Sequence, residues 1–472
     1  MNLPAGPLVA WLGDDFTGGA AVAETLAFSG LPAALFLEPP DAAALARFPG
    51  LRGIGIATTA RAESPAWMEA HLPALYAALV ATGAPMIQYK ACSTMDSSPE
   101  LGSLGRALEL GLGATGETCA PILFASPEMG RFQAFGTLFA AGPGGGVHRI
   151  DRHPVMARHP VTPIDEADIC GHLGRQTALP LAALMRPDLG AVGFERLAQA
   201  GARGVAVDCA GEDDLAAVGR VLWARRFVLG SQGVESAVIA HFRAEGWLRE
   251  APPRPTPTRV DRIAVVSGSA STVTARQIAW AELQGWPVIR LDTAALFGAD
   301  GPLAVTRALE QARMALGQGR SPVVAALRGP DDPELRATRA AIATAGLSPS
   351  DGEARIGEAL GAILSGLLAV GRPRVVVAGG DTSGRVAREL GLVALEPIAW
   401  IAHGASLLRG HRTDSSTIEI ILKGGQMGPE DLFDRAMGAR TEAGPEGARP
   451  SGTPSATINL QGGEQDHEEH VP

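Results

Sequence analysis

Adjacent carboxylates at Asp14 and Asp15 follow the apolar run Leu8 to Leu12 and lead into Phe16-Thr17-Gly18-Gly19. Two such groups would repel a pyrophosphate. They suit a polyhydroxylated ligand, whose hydroxyls donate to carboxylate oxygens while one carboxylate removes a proton from an attacking hydroxyl. A purely structural reading stands beside this one, in which one Asp caps a helix beginning near Thr17. A different chemistry is written in the C-terminal half. Ser267-Gly268-Ser269-Ala270-Ser271 and Gly379-Gly380-Asp381-Thr382-Ser383-Gly384 each follow a β-branched run and open onto an amphipathic stretch. Small residues admit an anion to the backbone, and the helix that follows offers unpaired N–H groups and a positive dipole end. Neither turn has Walker A or dinucleotide spacing, so it is the pair of phosphate cradles that points to a nucleotide.

Three further clusters carry chemistry. In Gln88-Tyr89-Lys90-Ala91-Cys92-Ser93-Thr94-Met95-Asp96 the Lys90 ammonium ends an apolar strand, where it must face a cleft or meet a partner such as Asp96. Glu128-Met129-Gly130-Arg131-Phe132-Gln133 again follows an apolar run, and Arg149 to His159, with Arg152 inside it, is the one strongly basic stretch. Its arginine forks match carboxylates and phosphates, with a solvated loop as the plainer alternative. His153 and His159 lack a third ligand at metal spacing. Lys423, in Leu422-Lys423-Gly424-Gly425, either neutralises phosphate oxygens or stabilises a loop.

These groups need strand ends to stand on. Short apolar runs at Leu8 to Leu12, Ala33 to Leu37, Gly53 to Ala57, Met86 to Tyr89 and Ile122 to Ala125 alternate with stretches of helical spacing such as Gly19 to Phe28 and Trp67 to Val80. The rhythm predicts an α/β protein with mostly parallel sheets flanked by helices and ligands beyond the strands' carboxyl ends. Ala251-Pro252-Pro253-Arg254-Pro255-Thr256-Pro257-Thr258 cannot be helix interior or central strand, and marks a linker that could serve as a hinge. It divides an N-terminal domain, 1–250, from a second, 259–440, with a cleft between them. The polar tail at 441–472 has the composition of a disordered segment.

A chain of 472 residues, 46% hydrophobic and 19% charged, is long enough for two or three cores. Its net charge of −10 gives no electrostatic case for nucleic acid or an anionic membrane surface. The four cysteines, Cys92, Cys119, Cys170 and Cys209, show neither zinc nor disulfide spacing. With no basic leader and no membrane-length apolar run, a cytoplasmic protein is expected.

Asp14-Asp15-Phe16-Thr17-Gly18, the Gly268 to Ser271 turn with Thr274, Arg276 and Gln277, the Gly379 to Ser383 turn and Lys423-Gly424-Gly425 together resemble the four-carbon acid sugar kinase family, in that family's order, from about Leu8 to Phe433. Asp381 stands where the family more often has Glu, and Gly424 where it usually has Ser. Tyr89 to Pro99, Gly130 to Gly136 and Asp151 to Pro154 look more like the 3-oxo-isoapionate branch than the tetronate branch. The resemblance implies a sugar-acid-binding N-terminal domain and a nucleotide-binding C-terminal domain. Asp14 and Asp15 would meet the acid's hydroxyls, with Lys90, Asp96, Arg131 and Arg152 completing its site. Ser269, Gly379, Gly380, Asp381, Thr382 and Gly425 would hold ATP. Mg²⁺ is required by the chemistry although no motif announces it. Asp15 is the candidate base, and Asp381 an alternative base or metal contact. The expected partner is a small sugar acid, with neither nucleic acid nor membrane, and a homodimer is compatible with this reading. Kinases of 3-oxo-tetronate, threonate or erythronate, and a non-catalytic sugar-acid sensor, remain alternatives. A nicotinamide oxidoreductase would need a fingerprint that this chain lacks.

Overall fold

The computed structural model describes residues 3–142, 145–159, 161–371 and 373–438. The segment 441–472, expected to be disordered, lies outside them. Short runs rich in Val, Ile, Leu and Ala become the inner strands of parallel sheets and are buried on both faces, as a cover of helices requires. In the N-terminal half the strands are β1 Val9–Gly13, β2 Ala33–Phe36, β3 Gly53–Ala57, β4 Met86–Lys90, β5 Ala120–Leu123, β6 Arg131–Ala134, β7 Thr137–Ala141, β8 Val147–Arg149, β9 Leu181–Leu184, β10 Gly204–Val207 and β11 Phe227–Gly230. In the C-terminal half they are β12 Ile263–Ser267, β13 Val288–Arg290, β14 Val323–Ala325, β15 Arg374–Ala378, β16 Leu392–Ala402, β17 Ala405–Arg412 and β18 Thr417–Lys423.

Both halves follow the α/β rhythm. The first sheet runs β2-β3-β1-β4-β11-β5-β10-β9, all parallel, and the second begins β13-β14-β12-β15-β18, also parallel. The five apolar runs named from the sequence become β1 to β5, whereas the α/β rhythm gives no sign of β9, β16, β17 or of a separate antiparallel sheet, β6-β7-β8. The long strands β16 and β17 matter most, because β18-β17-β16 is antiparallel and β16 pairs antiparallel with β2 through Ala394 with Phe36 and Leu395 with Leu35. The two sheets thus join edge to edge into one of fifteen strands. Pro397, which argues against a central strand, lies past the two residues that β2 uses, where its missing N–H leaves no gap in that ladder.

This joint reverses direction, so the parallel strands of the two halves point opposite ways. Sheet twist compensates. Six strand steps separate β15 from β1, and at about 20–25° per step the sheet turns by roughly 120–150°. The carboxyl edges of β1 and β15 are thereby turned toward each other. The helix after β1, Phe16–Ala27, is held close to its strand: Trp11 Nε1 donates to the Gly19 carbonyl at 3.1 Å, and the Trp11 ring lies where a β-carbon on Gly55 would stand. The 251–258 linker has neither helix nor strand. Its Pro255 carbonyl accepts from Trp400 N at 2.9 Å, and Arg254 lies over the Trp400 ring. Among the described residues no helix is long and apolar enough to cross a membrane.

Glu24, on the Phe16–Ala27 helix, is buried against β17, where its carboxylate accepts from Ser406 N at 3.4 Å. Burial raises its pKa from 4.5 to about 7. The folded chain therefore holds a proton that the unfolded chain releases. This contribution to stability is complete below the ordinary carboxyl value and is lost as pH rises through about 7. The urea midpoint of Glu24→Gln should change less than that of the wild type between about pH 5 and pH 8, by an amount worth up to about 3 kcal/mol. An equal change in both proteins would show that Glu24 does not titrate in that window.

Candidate active site

Asp14 and Asp15 leave the end of β1 and diverge. Asp15 caps the Phe16–Ala27 helix, accepting from Gly18 N at 2.8 Å and from Thr17 Oγ1 at 2.8 Å. The helix dipole favours a negative charge there. Asp14 is 1% exposed and is gripped by the fork of Arg61, Nε to Oδ2 at 3.1 Å and Nη2 to Oδ1 at 2.8 Å. The same guanidinium reaches Asp15 at 3.1 Å. Burial outweighs Arg61 and pushes Asp14 above the usual carboxylate range. Burial would raise Asp15 too, but Arg61, then Lys90, the Thr17 hydroxyl and the Gly18 amide hold it below that range. The pair is thus split into a sealed, reluctant acid and an ionised, more accessible one.

Lys90 ends β4, the strand beside β1. It is 2% exposed, and Nζ donates to the Ala91 carbonyl at 2.7 Å. A β-carbon on Gly18 would fall 2.9 Å from Nζ and 2.3 Å from Asp15 Oδ1, so a glycine there lets the ammonium and the carboxylate approach over the helix end. The Lys90–Asp96 ion pair that the sequence allowed does not form. Asp96 instead accepts from Thr94 Oγ1 at 2.6 Å, because the 92–98 loop turns at Met95, a buried residue with φ of 58°. Ser97, His172 and Gln176 brace that loop: Ser97 Oγ lies 2.9 Å from His172 Nε2 and accepts from Gln176 Nε2 at 2.9 Å.

Arg131 opens β6, where burial lowers its pKa and the neighbouring Cys92 and Asp96 work the other way. Its Nη1 donates to the carbonyls of Met129, Gly130 and Ala141, while the buried Nε has no hydrogen-bond partner among the described residues. Arg152 stands exposed in a short turn after β8. The adjacent His153 ring lies 3.2 Å from the Ala141 carbonyl that Arg131 also uses. The structure therefore groups Asp14, Asp15 and Lys90 tightly, sets Asp96 and Arg131 beside them, and leaves Arg152 at the rim of the small sheet.

The candidate phosphate side is built from three turns at the ends of neighbouring parallel strands, β12, β15 and β18. Gly268 N donates to the Ala378 carbonyl at 3.1 Å and Gly379 N to the Lys423 carbonyl at 2.9 Å, so each turn leans on the next. Ser271 caps the Thr272–Leu283 helix, and Ser269 Oγ accepts from Ser271 N at 3.2 Å. Gly379, at φ 122°, precedes the Gly380–Glu389 helix, in whose first turn Asp381 is exposed and Thr382 is buried. β-Carbons on Gly268, Gly379 and Gly425 would collide with Thr382 Oγ1 at 2.3 Å, Thr382 Oγ1 at 2.9 Å and Ser269 Oγ at 2.7 Å. Only glycines keep these hydroxyls and the backbone in one small concavity, as a phosphate requires.

The two sides meet. A β-carbon on Gly380 would lie 3.9 Å from Thr17 Oγ1, and one on Gly384 would touch the Phe16 ring at 3.5 Å. The positive ends of the Phe16–Ala27 and Gly380–Glu389 helices therefore abut, one carrying the carboxylate pair and the other the phosphate cradle. The candidate residues omit Arg61, which lies in a three-residue helical turn after β3. They also omit Glu235, a carboxylate that burial pushes up to about 8 against the opposing influence of Lys90 and Gln88. An arginine close after a strand that neighbours the Asp pair was the available signal for the first; nothing local marks the second.

Residues 9–238 match a family described as a sugar-binding N-terminal domain, and residues 264–433 one described as a nucleotide-binding C-terminal domain. A 3-oxo-isoapionate kinase of Paraburkholderia graminis is 42% identical over 91% of this chain and 94% of its own. A 3-oxo-tetronate kinase of Methylobacterium radiotolerans is 32% identical over 90% of this chain and 97% of its own. The fold is shared with a crystal structure from Salmonella typhimurium LT2, at TM-score 0.74 and 24% identity over 91% of this chain and 98% of that one. With both halves matched in order and the kinase relatives aligned along nearly their whole length, this chain belongs to the four-carbon acid sugar kinase family.

Proposed function

We propose that the protein transfers the γ-phosphoryl group of ATP to the terminal hydroxyl of a small sugar acid, with 3-oxo-isoapionate as the first candidate, in the breakdown of sugar acids. The observation that carries this reading is the abutment of the two helix ends, which sets a carboxylate pair against a phosphate cradle. The substrate rests on the 42% identical relative and on the resemblance of the segments around Lys90, Arg131 and Arg152 to its branch. The relatives near 32% identity support 3-oxo-tetronate as the second candidate. The domain roles are assigned to 1–250 for the acid and 259–440 for the nucleotide, with the 251–258 segment as the hinge. Free thiols at all four cysteines and a need for ATP support a cytoplasmic setting.

In this reading Asp14 and Asp15 accept hydrogen bonds from the acid's hydroxyls, and Lys90, Arg131 and Arg152 face its carboxylate and keto oxygens. Asp96 orients the loop between them. The attacking hydroxyl gives its proton to Asp15, its oxygen bonds to the γ-phosphorus, and the bond to the bridging oxygen breaks to release ADP. Ser269, Gly379, Gly380, Thr382 and Gly425 surround the phosphates with N–H and hydroxyl donors, whose value rises as water is excluded. Mg²⁺ on ATP needs only one or two protein carboxylates, and Asp381 offers one, or a second base, at the helix end. The metal supplies charge neutralisation on the phosphate oxygens. A sensor without catalysis would have no use for the second set of turns.

ADP release with Mg²⁺ and ATP should be fastest on 3-oxo-isoapionate in a panel that includes 3-oxo-tetronates, threonate and erythronate. A preference for a tetronate would move the protein to the other branch, and silence with nucleotide still bound would remove all of these acids. Asp15→Asn should lower kcat about 100-fold or more while the KM for ATP stays nearly unchanged; unaltered turnover excludes Asp15 as the base. Arg61→Met leaves two carboxylates without their cation. It should cost about 3 kcal/mol in urea unfolding, partly recovered by adding Asp14→Asn, and raise the KM for the acid. Strictly additive losses would show that Arg61 does not act through Asp14.

A further inference from the structure

Beneath the phosphate cradle lies a cation with no counter-charge. Lys423 ends β18 opposite Ala378, the residue before the Gly379 turn, and is fully buried. Its Nζ donates to Thr274 Oγ1 at 2.8 Å and to the Gly425 carbonyl at 3.3 Å. That carbonyl also accepts from Thr274 Oγ1 at 2.8 Å and from Ser271 Oγ. Further along, Gln277 Nε2 lies 2.9 to 3.1 Å from the carbonyls of Met427, Gly428 and Pro429, which share its two hydrogens. The Gly425 turn is thus fastened by its carbonyl side to the Thr272–Leu283 helix, while the position a Gly425 β-carbon would take faces Ser269 Oγ at 2.7 Å.

Among the described residues no ion pair includes Lys423, and the charges on the elements around it are engaged or exposed. On the Thr272–Leu283 helix Arg276 pairs with Glu430 and Glu282 with Arg328; on β15 Arg374 pairs with Glu419 of β18 itself; on β17 Arg409 pairs with Glu396 and Arg412 with Asp414. On the Gly380–Glu389 helix Asp381, Arg388 and Glu389 are exposed, and Arg385 packs along Gly357. A buried ammonium surrounded only by neutral oxygens is costly, and burial lowers its pKa to about 7. A hydrophobic residue would be cheaper at this place if the turn only needed packing. A polyphosphate laid in the cradle supplies the missing negative charge a few ångströms away.

Resting on the nucleotide-site reading, we propose that Lys423 is the buried counter-charge of the nucleotide's phosphates, takes up a proton from solvent when they bind, and positions the Gly425 turn against them. It acts through the turn as a positioning residue. The test is calorimetry of Mg·ADP binding to the whole chain at about pH 8 in two buffers of different ionisation heat. Uptake of about 0.9 proton per nucleotide is expected. Lys423→Arg, whose charge is fixed, should bind with uptake near zero, and Lys423→Met should bind at least about tenfold more weakly, also without uptake. Binding by the wild type with no proton uptake overturns the proposal, as does uptake that persists in Lys423→Met. No binding of Mg·ADP by the wild type would instead overturn the nucleotide-site reading beneath it. The wild-type measurement needs no variant, so a poorly folded Lys423→Met does not spare the proposal.

Discussion

The antiparallel joint between β2 and β16 is the constraint on which the rest depends. Each half is a parallel sheet with its ligand groups at the carboxyl ends of strands, and two such sheets joined antiparallel in a flat plane would put those ends on opposite edges. Twist along the antiparallel strands turns one edge toward the other. The joint uses two residue pairs of β2, and the Phe16–Ala27 helix reinforces it by packing on β16 and on the Gly380–Glu389 helix. Phe16 and Thr17 against Gly384 and Gly380 are its functional end. Glycine at both positions lets the helix starts approach until the acceptor carboxylates and the phosphate cradle share one space.

Bringing these groups together concentrates charge, and each side handles it differently. On the acid side one guanidinium serves two carboxylates, bidentate on the buried one, and Lys90 adds to its effect over Gly18. The result is a pair of chemically identical side chains with opposite shifts, the arrangement by which proteins assign distinct proton-transfer roles. On the phosphate side no acid balances Lys423, and the helix ends add further positive potential. In the proposed reading an anion completes that side: the helix ends favour it although the chain is acidic overall, and Lys423 gains its charge as the phosphates arrive.

Much of the site was legible because its parts are local. A strand's end, a glycine turn and a helix's first turn are contiguous in sequence, and Asp14, Asp15, Ser269, Gly379 to Thr382 and Lys423 all lie in such units. Lys90 was legible from the cost of an ammonium at the end of an apolar strand. Its partner was misjudged as an open question, because the left-handed Met95 turns the loop and sends Asp96 to Thr94. Arg61 was missed for the opposite reason: its place close after an apolar strand is a weak mark, and its role comes from β3 lying beside β1, a tertiary fact. Likewise the Pro397-containing run reads as irregular until it is known that β2 pairs only with Ala394 and Leu395, and Arg131 to Arg149 read as polar clusters because a small half-exposed sheet lacks the apolar density of the main one. The alternating parallel strands, each buried on both faces, were the easiest elements to find.

The central claim is that the phosphoryl donor and its acceptor meet where the Phe16–Ala27 and Gly380–Glu389 helices begin. A crystal structure of the protein with a non-hydrolysable ATP analogue, Mg²⁺ and the preferred sugar acid tests it most directly. The account predicts the terminal phosphorus within about 3.5 Å of an acceptor hydroxyl oxygen that itself contacts Asp15, with the phosphates against Gly379, Gly380 and Gly425. A nucleotide seated elsewhere, or an acid whose hydroxyls lie away from Asp14 and Asp15, would contradict it.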